Sequence, residues 1–410
     1  MRPQVVVVGA SLAGLRAAEQ LRAQGYAGDL TIVGAEKHKP YNRPPLSKEA
    51  LSGHGPDVTV EALSASLAFR PKSSIADVRW QLGSPAVSSD LAEGLLSLAN
   101  GQVLAFDALV VATGLRPRRL LGDTPTRGRH VVRTVDDAVS LRAALVPAVR
   151  AVVVGGGFIG CEVASTLTSL GARVTVVEPL PVPMLRGVGA ELGAALRAHH
   201  EHTGLQVITG QGVSRLIGAT EDAEQVAAVV LDDGTELAAD LVIESIGSHT
   251  NTEWLQGNGL DLTDGVLCDN QLRVEGRAEI VAAGDIARFP NPRFDDIARR
   301  VEHWNMPGET AKRAAVTLAD HLSGHATTTD PFTPLPAFWS DQFGLRLQSF
   351  GSPGLADTAV VEHGALDDLD GGLVMAYLRK DRLVGAVLVN VPASEYRRYR
   401  DAVAPLPLAV

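Results

Sequence analysis

Two glycine-rich segments of the 410-residue chain have the residue types and spacing that bind the phosphates of a dinucleotide. The first is Gly9-Ala10-Ser11-Leu12-Ala13-Gly14, and the second is Gly155-Gly156-Gly157-Phe158-Ile159-Gly160. In such a turn the first glycine allows a tight bend, the middle position admits a pyrophosphate, and the following helix directs its N–H groups at the anion. Ser11 replaces the middle glycine of the first segment, which narrows the approach but supplies a hydroxyl. We predict two dinucleotide sites; an α/β turn without a nucleotide is the alternative.

An acidic residue follows each turn at the distance expected for a ribose contact. Glu36 comes after the apolar run 30–33, and Glu178 comes after the run 174–177. A carboxylate at this place accepts hydrogen bonds from ribose hydroxyls and repels the additional phosphate of NADPH. Since Pro179 rather than an arginine follows Glu178, the second site favours NADH, with Arg186 as the residue that opposes this preference.

The repeated order of strand, glycine turn, helix, strand and acid predicts the architecture. The Val and Ile runs are continuous rather than alternating, which suits parallel strands buried on both faces. The predicted fold class is α/β, with two Rossmann-like nucleotide-binding domains and a small α+β C-terminal domain. The predicted boundaries are 1–112 and 242–324 for the first domain, 113–241 for a second domain inserted into it, and 325–410 for the third, which starts at the linker 327–331.

Composition excludes several classes of function. A formal net charge of −10 and the absence of a long basic run argue against a nucleic-acid-binding protein. The only cysteines, Cys161 and Cys268, are far apart, so neither a disulfide framework nor a metal site is predicted, and a Cys-x-x-Cys redox pair is absent. No apolar run approaches the roughly 18 residues of a membrane span, and no secretory peptide precedes the first strand. We expect a soluble, cytoplasmic protein.

Four further segments carry a resemblance that covers nearly the whole chain. They are Pro40-Tyr41-Asn42-Arg43-Pro44-Pro45-Leu46-Ser47-Lys48, Ala112-Thr113-Gly114-Leu115-Arg116-Pro117-Arg118, Ala282-Ala283-Gly284-Asp285 and Phe338-Trp339-Ser340-Asp341-Gln342. Together with the two glycine turns, they resemble the oxygenase-coupled NADH-dependent ferredoxin reductases. The resemblance implies an FAD flavoprotein that accepts hydride from NADH.

The resemblance also implies which residues bind the cofactors. FAD would contact Gly9, Ser11, Leu12, Ala13, Gly14, Glu36, Arg43, Lys48, Val87, Ala112, Thr113, Gly114, Arg133, Gly284, Asp285 and Trp304. Val87 would touch adenine through its backbone from the end of a strand that follows Gln81, and Trp304 would lie against the isoalloxazine. Trp339 would flank the same ring, with core packing as the alternative for both tryptophans. NADH would contact Gly155, Gly157, Phe158, Ile159, Gly160, Glu178 and Gly247.

Two residues are candidates for a role in hydride transfer. Since a flavin carries out the redox chemistry itself, the protein mainly supplies orientation and electrostatics. If the family's arrangement is kept, Lys48 and Glu162 face one another beside the flavin, where an ion pair would orient the nicotinamide. A surface salt bridge without a function is the alternative.

The electron acceptor implied by the resemblance is a two-iron two-sulfur ferredoxin that serves a haem-thiolate monooxygenase or a Rieske dioxygenase. With two cysteines the chain cannot hold an iron–sulfur cluster itself, so the cluster belongs to a separate protein. A basic patch of Arg299, Arg300, Arg397 and Arg398 is the predicted docking surface. The alternatives are an NADH oxidase or peroxidase, and a flavoprotein of apoptosis-inducing-factor type that responds to NADH. Monomer and weak dimer both remain open.

Overall fold

The computed structural model describes residues 3–122, 125–326 and 328–403. Thr327, in the predicted linker, lies outside the described residues. Within these ranges the chain forms eight α-helices. They are α1 (Leu12–Ala23), α2 (Glu49–Ser52), α3 (Val60–Leu67), α4 (Val135–Ala144), α5 (Phe158–Ser169), α6 (Leu185–His202), α7 (Met306–Leu322) and α8 (Tyr396–Ala402).

The first sheet consists of five parallel strands. They are β1 (Gln4–Val8), β2 (Asp29–Val33), β3 (Arg79–Gln81), β7 (Ala108–Val111) and β19 (Ile280–Ala282). Their order across the sheet is β19-β7-β1-β2-β3. Val5, Val6 and Val7 are fully buried, which confirms the prediction from the continuous apolar run. Helices α1 and α7 pack side by side against this sheet.

The second sheet repeats this arrangement with five more parallel strands. They are β9 (Arg129–His130), β10 (Arg150–Val154), β11 (Arg173–Glu178), β12 (Gln206–Thr209) and β16 (Leu241–Glu244). Their order is β12-β11-β10-β16-β9. In each sheet the strand before the glycine turn is central, and later parts of the chain add strands on both of its sides. Each turn therefore lies at the switch point where α/β sheets bind their ligands.

The path of the chain supports the proposed insertion and corrects one of its boundaries. The chain leaves the first sheet after β7 and returns at β19. Strand β16 pairs in parallel with β10, with Val242 opposite Val152, so residues 242–244 belong to the second sheet. The predicted boundary between 241 and 242 is wrong, because it cuts this ladder. We propose that the boundary lies at β8 (Leu115–Pro117) and β17 (Ser248–Thr250), which cross between the sheets as an antiparallel pair.

The C-terminal part forms one antiparallel sheet with α8, which confirms the predicted α+β unit. Its strands are β22 (Ala337–Gln342), β23 (Leu345–Gly351), β24 (Thr358–His363), β25 (Leu373–Arg379) and β26 (Arg382–Val389), in the order β22-β23-β26-β25-β24. The apolar runs 373–378 and 383–389, predicted as strands, lie in β25 and β26.

Three small sheets complete the fold. They are β4 (Ala86–Asp90), β5 (Leu95–Leu98) and β6 (Val103–Ala105); β13 (Val213–Gly218), β14 (Val226–Leu231) and β15 (Glu236–Ala238); and β18 (Val266–Leu267), β20 (Ala287–Asn291) and β21 (Asp295–Arg299). Among the helices of the described ranges, none has the length and apolar character needed to cross a bilayer.

The loop after β2 packs away from its own sheet. Leu46, Leu51 and Leu63 are buried in one cluster with Val135 and Val163, which belong to the second unit. Burial of these apolar side chains holds the loop against α5. The polar residues at the tip of the loop are thereby brought to the interface between the two nucleotide-binding units.

Candidate active site

The first glycine turn joins β1 to α1 and leaves no room for side chains at its two outer positions. Gly9 has a φ of +126°, and a Cβ built on it would lie 2.0 Å from the carbonyl oxygen of Ala112. A Cβ on Gly14 would lie 1.8 Å from the carbonyl oxygen of Gly9. Only glycine allows this approach. The free N–H groups at the start of α1, beginning with Leu12, therefore face the sheet edge where a phosphate would bind.

The middle position of the turn tolerates a small side chain. A Cβ on Gly157, the middle residue of the second turn, would meet no atom within 4 Å. Ser11 occupies the corresponding position of the first turn, and its hydroxyl oxygen accepts a hydrogen bond of 3.3 Å from Nε of Arg43. Serine at this position is thus compatible with a phosphate-binding turn.

Glu36 is held as a carboxylate at the same edge of the sheet. Its Oε1 accepts from Nη2 of Arg43 at 2.5 Å, and its Oε2 accepts from the Tyr41 hydroxyl at 2.5 Å. Although burial favours the neutral acid, the charge of Arg43 and the Tyr41 hydroxyl hold the pKa of Glu36 below its usual value. A charged carboxylate beside the glycine turn is suited to accept hydrogen bonds from a ribose.

Two guanidinium groups and a carboxylate form a cluster that fits an anionic ligand. Nη1 of Arg43 donates to the carbonyl oxygen of Arg133 at 2.5 Å, and Nη2 of Arg133 lies 3.9 Å from Oδ2 of Asp285. Burial and the neighbouring charge of Arg43 lower the pKa of Arg133, while burial raises the pKa of Asp285. A pyrophosphate beside the two arginines would relieve their mutual repulsion. The residues present therefore fit the pyrophosphate of FAD.

Two other predicted segments line the same crevice. A Cβ on Gly284 would lie 2.8 Å from Cβ of Ala13, so this glycine lets the chain after β19 contact the start of α1. Gly114 has a φ of +60°, and a Cβ there would lie 3.6 Å from the guanidinium of Arg133. Thr113 connects Gly114 to β7. The resemblance grouped these residues around the flavin nucleotide, and the fold brings them to one edge of one sheet.

Val87 is placed differently from the prediction. Strand β3 ends at Gln81, and Val87 is the second residue of the separate strand β4. A strand does follow Gln81, as predicted, but the predicted position of Val87 at its end is wrong, because Val87 lies near the start of β4. The side chain is 53% exposed. The contact between its backbone and adenine stays a prediction.

The second glycine turn has the geometry of the first. A Cβ on Gly155, which has a φ of +103°, would lie 2.2 Å from the carbonyl oxygen of Ser245. A Cβ on Gly160 would lie 2.0 Å from the carbonyl oxygen of Gly155. Glu178 accepts from the backbone N–H of Gly156 at 2.7 Å and is 7% exposed. Its negative charge is therefore fixed beside the turn, as discrimination against NADPH requires.

The other residues predicted for the second site lie at the same sheet edge. Phe158 and Ile159 are the first two residues of α5, and Ile159 is half exposed. The Phe158 ring contacts the ring of Phe338 with their centroids 4.6 Å apart. Gly247 follows β16 and has a φ of +95°. The start of α5 thus lies between the second turn and the C-terminal sheet.

Lys48 and Glu162 form a buried ion pair between the two nucleotide-binding units. Nζ of Lys48 lies 2.8 Å from Oε2 of Glu162, and the two side chains are 13% and 7% exposed. Lys48 follows the short 3-10 helix Pro44–Ser47, and Glu162 lies in the first turns of α5. The low exposure excludes the alternative of a surface salt bridge. Burying two charges is costly unless they are paired and hydrogen-bonded, and the functional role of the pair stays a prediction.

Two hydroxyl groups that sequence reasoning did not assign complete the surroundings of Glu162. The Ser47 hydroxyl donates to Oε2 at 2.6 Å, and the Ser340 hydroxyl, from β22, donates to Oε1 at 2.6 Å. Nε2 of Gln342 donates to the Ser340 oxygen at 3.2 Å. Both serines lie in segments that carried the resemblance. The pattern that could have identified Ser340 and Gln342 is their spacing of two from Phe338, which places all three on one face of a strand.

The comparisons with known proteins identify the family of the chain. Residues 3–311 match the family described as pyridine nucleotide-disulphide oxidoreductase, and residues 337–405 match the reductase C-terminal family. The chain belongs to the pyridine nucleotide-disulphide oxidoreductase family. Membership implies binding of FAD and NAD(H), which the fit of the two glycine turns supports.

Relatives of this oxidoreductase match nearly the whole chain. Rubredoxin-NAD(+) reductase from Ectopseudomonas oleovorans is 33% identical over 391 residues, which cover 95% of this chain and 96% of that protein. The ferredoxin--NAD(+) reductase component of the biphenyl dioxygenase system from Paraburkholderia xenovorans (strain LB400) is 35% identical over 351 residues, covering 85% and 80%. A chain in the crystal structure of the covalent putidaredoxin reductase-putidaredoxin complex has a TM-score of 0.88 at 31% identity, covering 99% and 94%.

Both tryptophans named from the resemblance lie together in this oxidoreductase. The rings of Trp304 and Trp339 meet edge to face with centroids 5.1 Å apart, and Trp304 is 43% exposed. The exposure of Trp304 excludes ordinary core packing for this residue. The pair joins the segment before α7 to the C-terminal sheet.

Neither cysteine of the oxidoreductase is placed for disulfide chemistry. Cys161 is 1% exposed, and burial raises the pKa of its thiol to about 12. Cys268 is 3% exposed, and burial raises the pKa of its thiol as well. Since the thiolate is the reactive form, these are inert, structural residues.

The predicted basic docking patch is not a patch of net positive charge. Each of the four arginines is paired with an acid in the structure: Arg299 with Asp295, Arg300 with Asp264 and Glu302, Arg397 with Asp401, and Arg398 with Glu362. The prediction counted only the basic residues. Asp295, Glu302 and Asp401 lie within four positions of the arginines that they pair with, whereas folding brings Asp264 and Glu362 from 36 positions away.

Proposed function

We propose that this oxidoreductase binds FAD in the first unit and NADH in the second, accepts hydride from NADH, and passes electrons singly to a two-iron two-sulfur ferredoxin. The ferredoxin would serve a haem-thiolate monooxygenase or a Rieske dioxygenase. The observation that carries this proposal is the buried Lys48–Glu162 pair. Because each partner comes from a different nucleotide-binding unit, the pair marks the place where two bound nucleotides would meet.

On the FAD side, the chain supplies an anion site with a ribose acceptor behind it. Arg43 and Arg133 would bind the pyrophosphate together with the N-terminus of α1. Glu36 would accept from the adenosine ribose, and Asp285 would bind the ribitol or the adjoining phosphate. When bound, the flavin supplies the change from a two-electron donor to one-electron acceptors.

On the NADH side, the fixed carboxylate of Glu178 sets the cofactor preference. Its two oxygens accept from the backbone N–H groups of Gly156 and Leu180, at 2.7 and 2.9 Å. A carboxylate held in this way cannot move away from the additional phosphate of NADPH, which it therefore repels. We expect NADH to bind more tightly than NADPH, with Arg186, an exposed residue of α6, as the residue that opposes this preference.

The ion pair would orient the nicotinamide and stabilise charge that develops during transfer. The Lys48 ammonium donates to Glu162 and to the carbonyl oxygen of Pro44, at 2.8 and 3.3 Å. These contacts fix the cation in a site with little access to water, where electrostatic stabilisation is most effective. Lys48 and Glu162 are the proposed catalytic residues.

The acceptor is proposed from the relatives and from the surface beside Trp304. The relatives reduce ferredoxin or rubredoxin, as their names state. Since both cysteines are buried, a disulfide acceptor inside this chain is disfavoured. By the resemblance Trp304 lies against the isoalloxazine, so its exposed edge supports an approach of the acceptor from this side. A rubredoxin is the second candidate acceptor, because one relative is a rubredoxin reductase.

The test is anaerobic stopped-flow mixing of the purified protein with NADH or NADPH. The reduced protein is then mixed with a two-iron ferredoxin or with a rubredoxin. The proposal would be supported if NADH bleaches the flavin absorption fast, NADPH bleaches it slowly, and the reduced protein then reduces the ferredoxin promptly. Bleaching followed by transfer to rubredoxin alone would change the acceptor. Bleaching that only oxygen reverses would favour an oxidase or a redox-responsive flavoprotein.

A further inference from the structure

Three donors converge on the carboxylate of Glu162, and one of them comes from the C-terminal domain. Oε2 accepts from Ser47 and Lys48, whereas Oε1 accepts from Ser340 and from no other described residue. Ser340 is fully buried, so no bulk water can replace its hydroxyl. The orientation of Oε1 therefore depends on a residue 178 positions further along the chain.

The strand that carries Ser340 presents alternate residues to the second nucleotide-binding unit. Phe338 contacts the ring of Phe158, Ser340 contacts Glu162, and Nε2 of Gln342 lies 3.4 Å from Sδ of Met184. Side chains two apart point to the same face of a strand. One face of β22 thus lies along the start of α5, and Ser340 is at its centre.

Both ends of this strand are fixed by side chains of the nucleotide-binding units. The Asn305 amide, at the start of α7, accepts from the N–H of Ala337 at 2.9 Å. The N–H of Phe343 donates to the Ser165 hydroxyl of α5 at 2.7 Å. These hydrogen bonds leave β22 little freedom to slide along α5, so Ser340 has a defined position relative to Glu162.

We propose that Ser340 is a positioning residue for hydride transfer. Its hydroxyl would hold Oε1 of Glu162 so that Oε2 stays directed at Lys48, and Gln342 would orient that hydroxyl by donating to its oxygen. Docking of the C-terminal domain is thereby part of the assembly of the reactive site. This inference rests on the proposed function, which places the Lys48–Glu162 pair beside the nicotinamide.

The test is Ser340→Ala, with Ser349→Ala as the matched control. Ser349 is also fully buried in the C-terminal sheet, in β23, but its hydroxyl has no hydrogen-bond partner within the described part of the chain. We expect Ser340→Ala to slow flavin reduction by NADH roughly tenfold, as for a lost hydrogen bond to a charged group, and Ser349→Ala to leave the rate unchanged. In a Glu162→Gln background the effect of Ser340→Ala should be much smaller, since the charged acceptor is then absent.

A binding measurement separates positioning from general damage. NAD+ and ADP-ribose are titrated into the oxidised protein; the two ligands share the adenosine end but only NAD+ carries nicotinamide. Ser340→Ala should weaken NAD+ binding and leave ADP-ribose binding unchanged. Equal weakening of both ligands, or an equal decrease in rate with and without Glu162, would overturn the proposal. Gln342→Met, which removes the donor to Ser340, should slow reduction to a smaller extent and serves if Ser340→Ala does not fold.

Failure of this inference is distinguishable from failure of the proposed function. If NADH does not reduce the flavin of the wild-type protein, the proposed function fails and this inference falls with it. If NADH reduces wild type and Ser340→Ala equally fast, the proposed function stands and only the role of Ser340 is refuted.

Discussion

Replacement of Lys48 by methionine tests the proposed ion pair most directly. Methionine keeps the unbranched shape of the lysine stem and removes the ammonium, so the loop that carries residue 48 can stay packed on α5. Glu162 would keep its hydrogen bonds from Ser47 and Ser340 but would lose the one cationic partner that it has within 4.0 Å among the described residues. The variant therefore leaves a buried, uncompensated carboxylate beside the proposed nicotinamide site.

The magnitude follows from the distance and the burial. At 2.8 Å and an effective dielectric constant of about 20, the Coulomb attraction is about 6 kcal/mol, much of which the desolvation of both ions offsets. A hydrogen bond to a charged group contributes about 1.5–3 kcal/mol net. If the transition state loses this amount of stabilisation, flavin reduction by NADH slows by about tenfold to a hundredfold. Loss of one partner of a buried pair should also lower the free energy of unfolding by up to about 3–5 kcal/mol.

The assay is anaerobic single-turnover reduction, followed by bleaching of the flavin absorption, together with urea unfolding. Lys312→Met is the matched control, because Lys312 is an exposed lysine of α7. Lys48→Arg should retain part of the rate because it keeps the charge. A Lys48→Met rate equal to wild type, at saturating NADH, would refute the placement of the ion pair in the reactive site.

Four further predictions concern the two nucleotide sites and the stability of the fold. Glu178→Gln should narrow the preference for NADH over NADPH, measured as the ratio of flavin-reduction rates at low nucleotide; an unchanged ratio would count against its role. Arg133→Met should weaken FAD binding at least tenfold, measured by fluorescence of released flavin, and a fully retained flavin would contradict the anion site. Gly155→Ala should destabilise the protein strongly, because its Cβ would lie 2.2 Å from a carbonyl oxygen, whereas Gly157→Ala should leave urea unfolding unchanged. Burial and the neighbouring His199 lower the pKa of His200 from 6.5 to about 3. The unfolded chain therefore binds this proton more readily than the folded protein, so the free energy of unfolding should fall as the pH drops from 6.5 towards 3. His200→Phe should make this fall smaller, and an unchanged pH dependence would show that other groups cause it.

Sequence reasoning was most reliable where local physics decides the structure. The outer positions of a glycine turn, such as Gly9 and Gly155, need a backbone that only glycine adopts at low cost, so spacing alone located both turns. Sequence reasoning gave wrong positions where the pairing of strands decides which sheet a residue joins and where its strand begins. Val242 was assigned to the first domain and lies in the second sheet, and Val87 was placed at the end of a strand and lies near the start of β4.

The net charge of the arginine clusters at the surface could not be predicted from the sequence pattern either. Arg300 and Arg398 each belong to a basic cluster along the chain, yet Asp264 and Glu362, each 36 positions away, pair with them in space. Electrostatic interactions depend on distance in three dimensions, and acids from other turns and strands do not appear in a local count of charges.

The sequence by itself determined that there are two nucleotide-binding units, which residues make the turns, and that Lys48 and Glu162 are the pair to examine. The reason is that turns, apolar runs and the segments of a recognised family are local. Only the tertiary structure decided that Ser340 contacts Glu162, because 178 residues separate them and the contact depends on how β22 docks along α5. The partners of a buried carboxylate are set by the packing of whole domains, which short-range patterns do not encode.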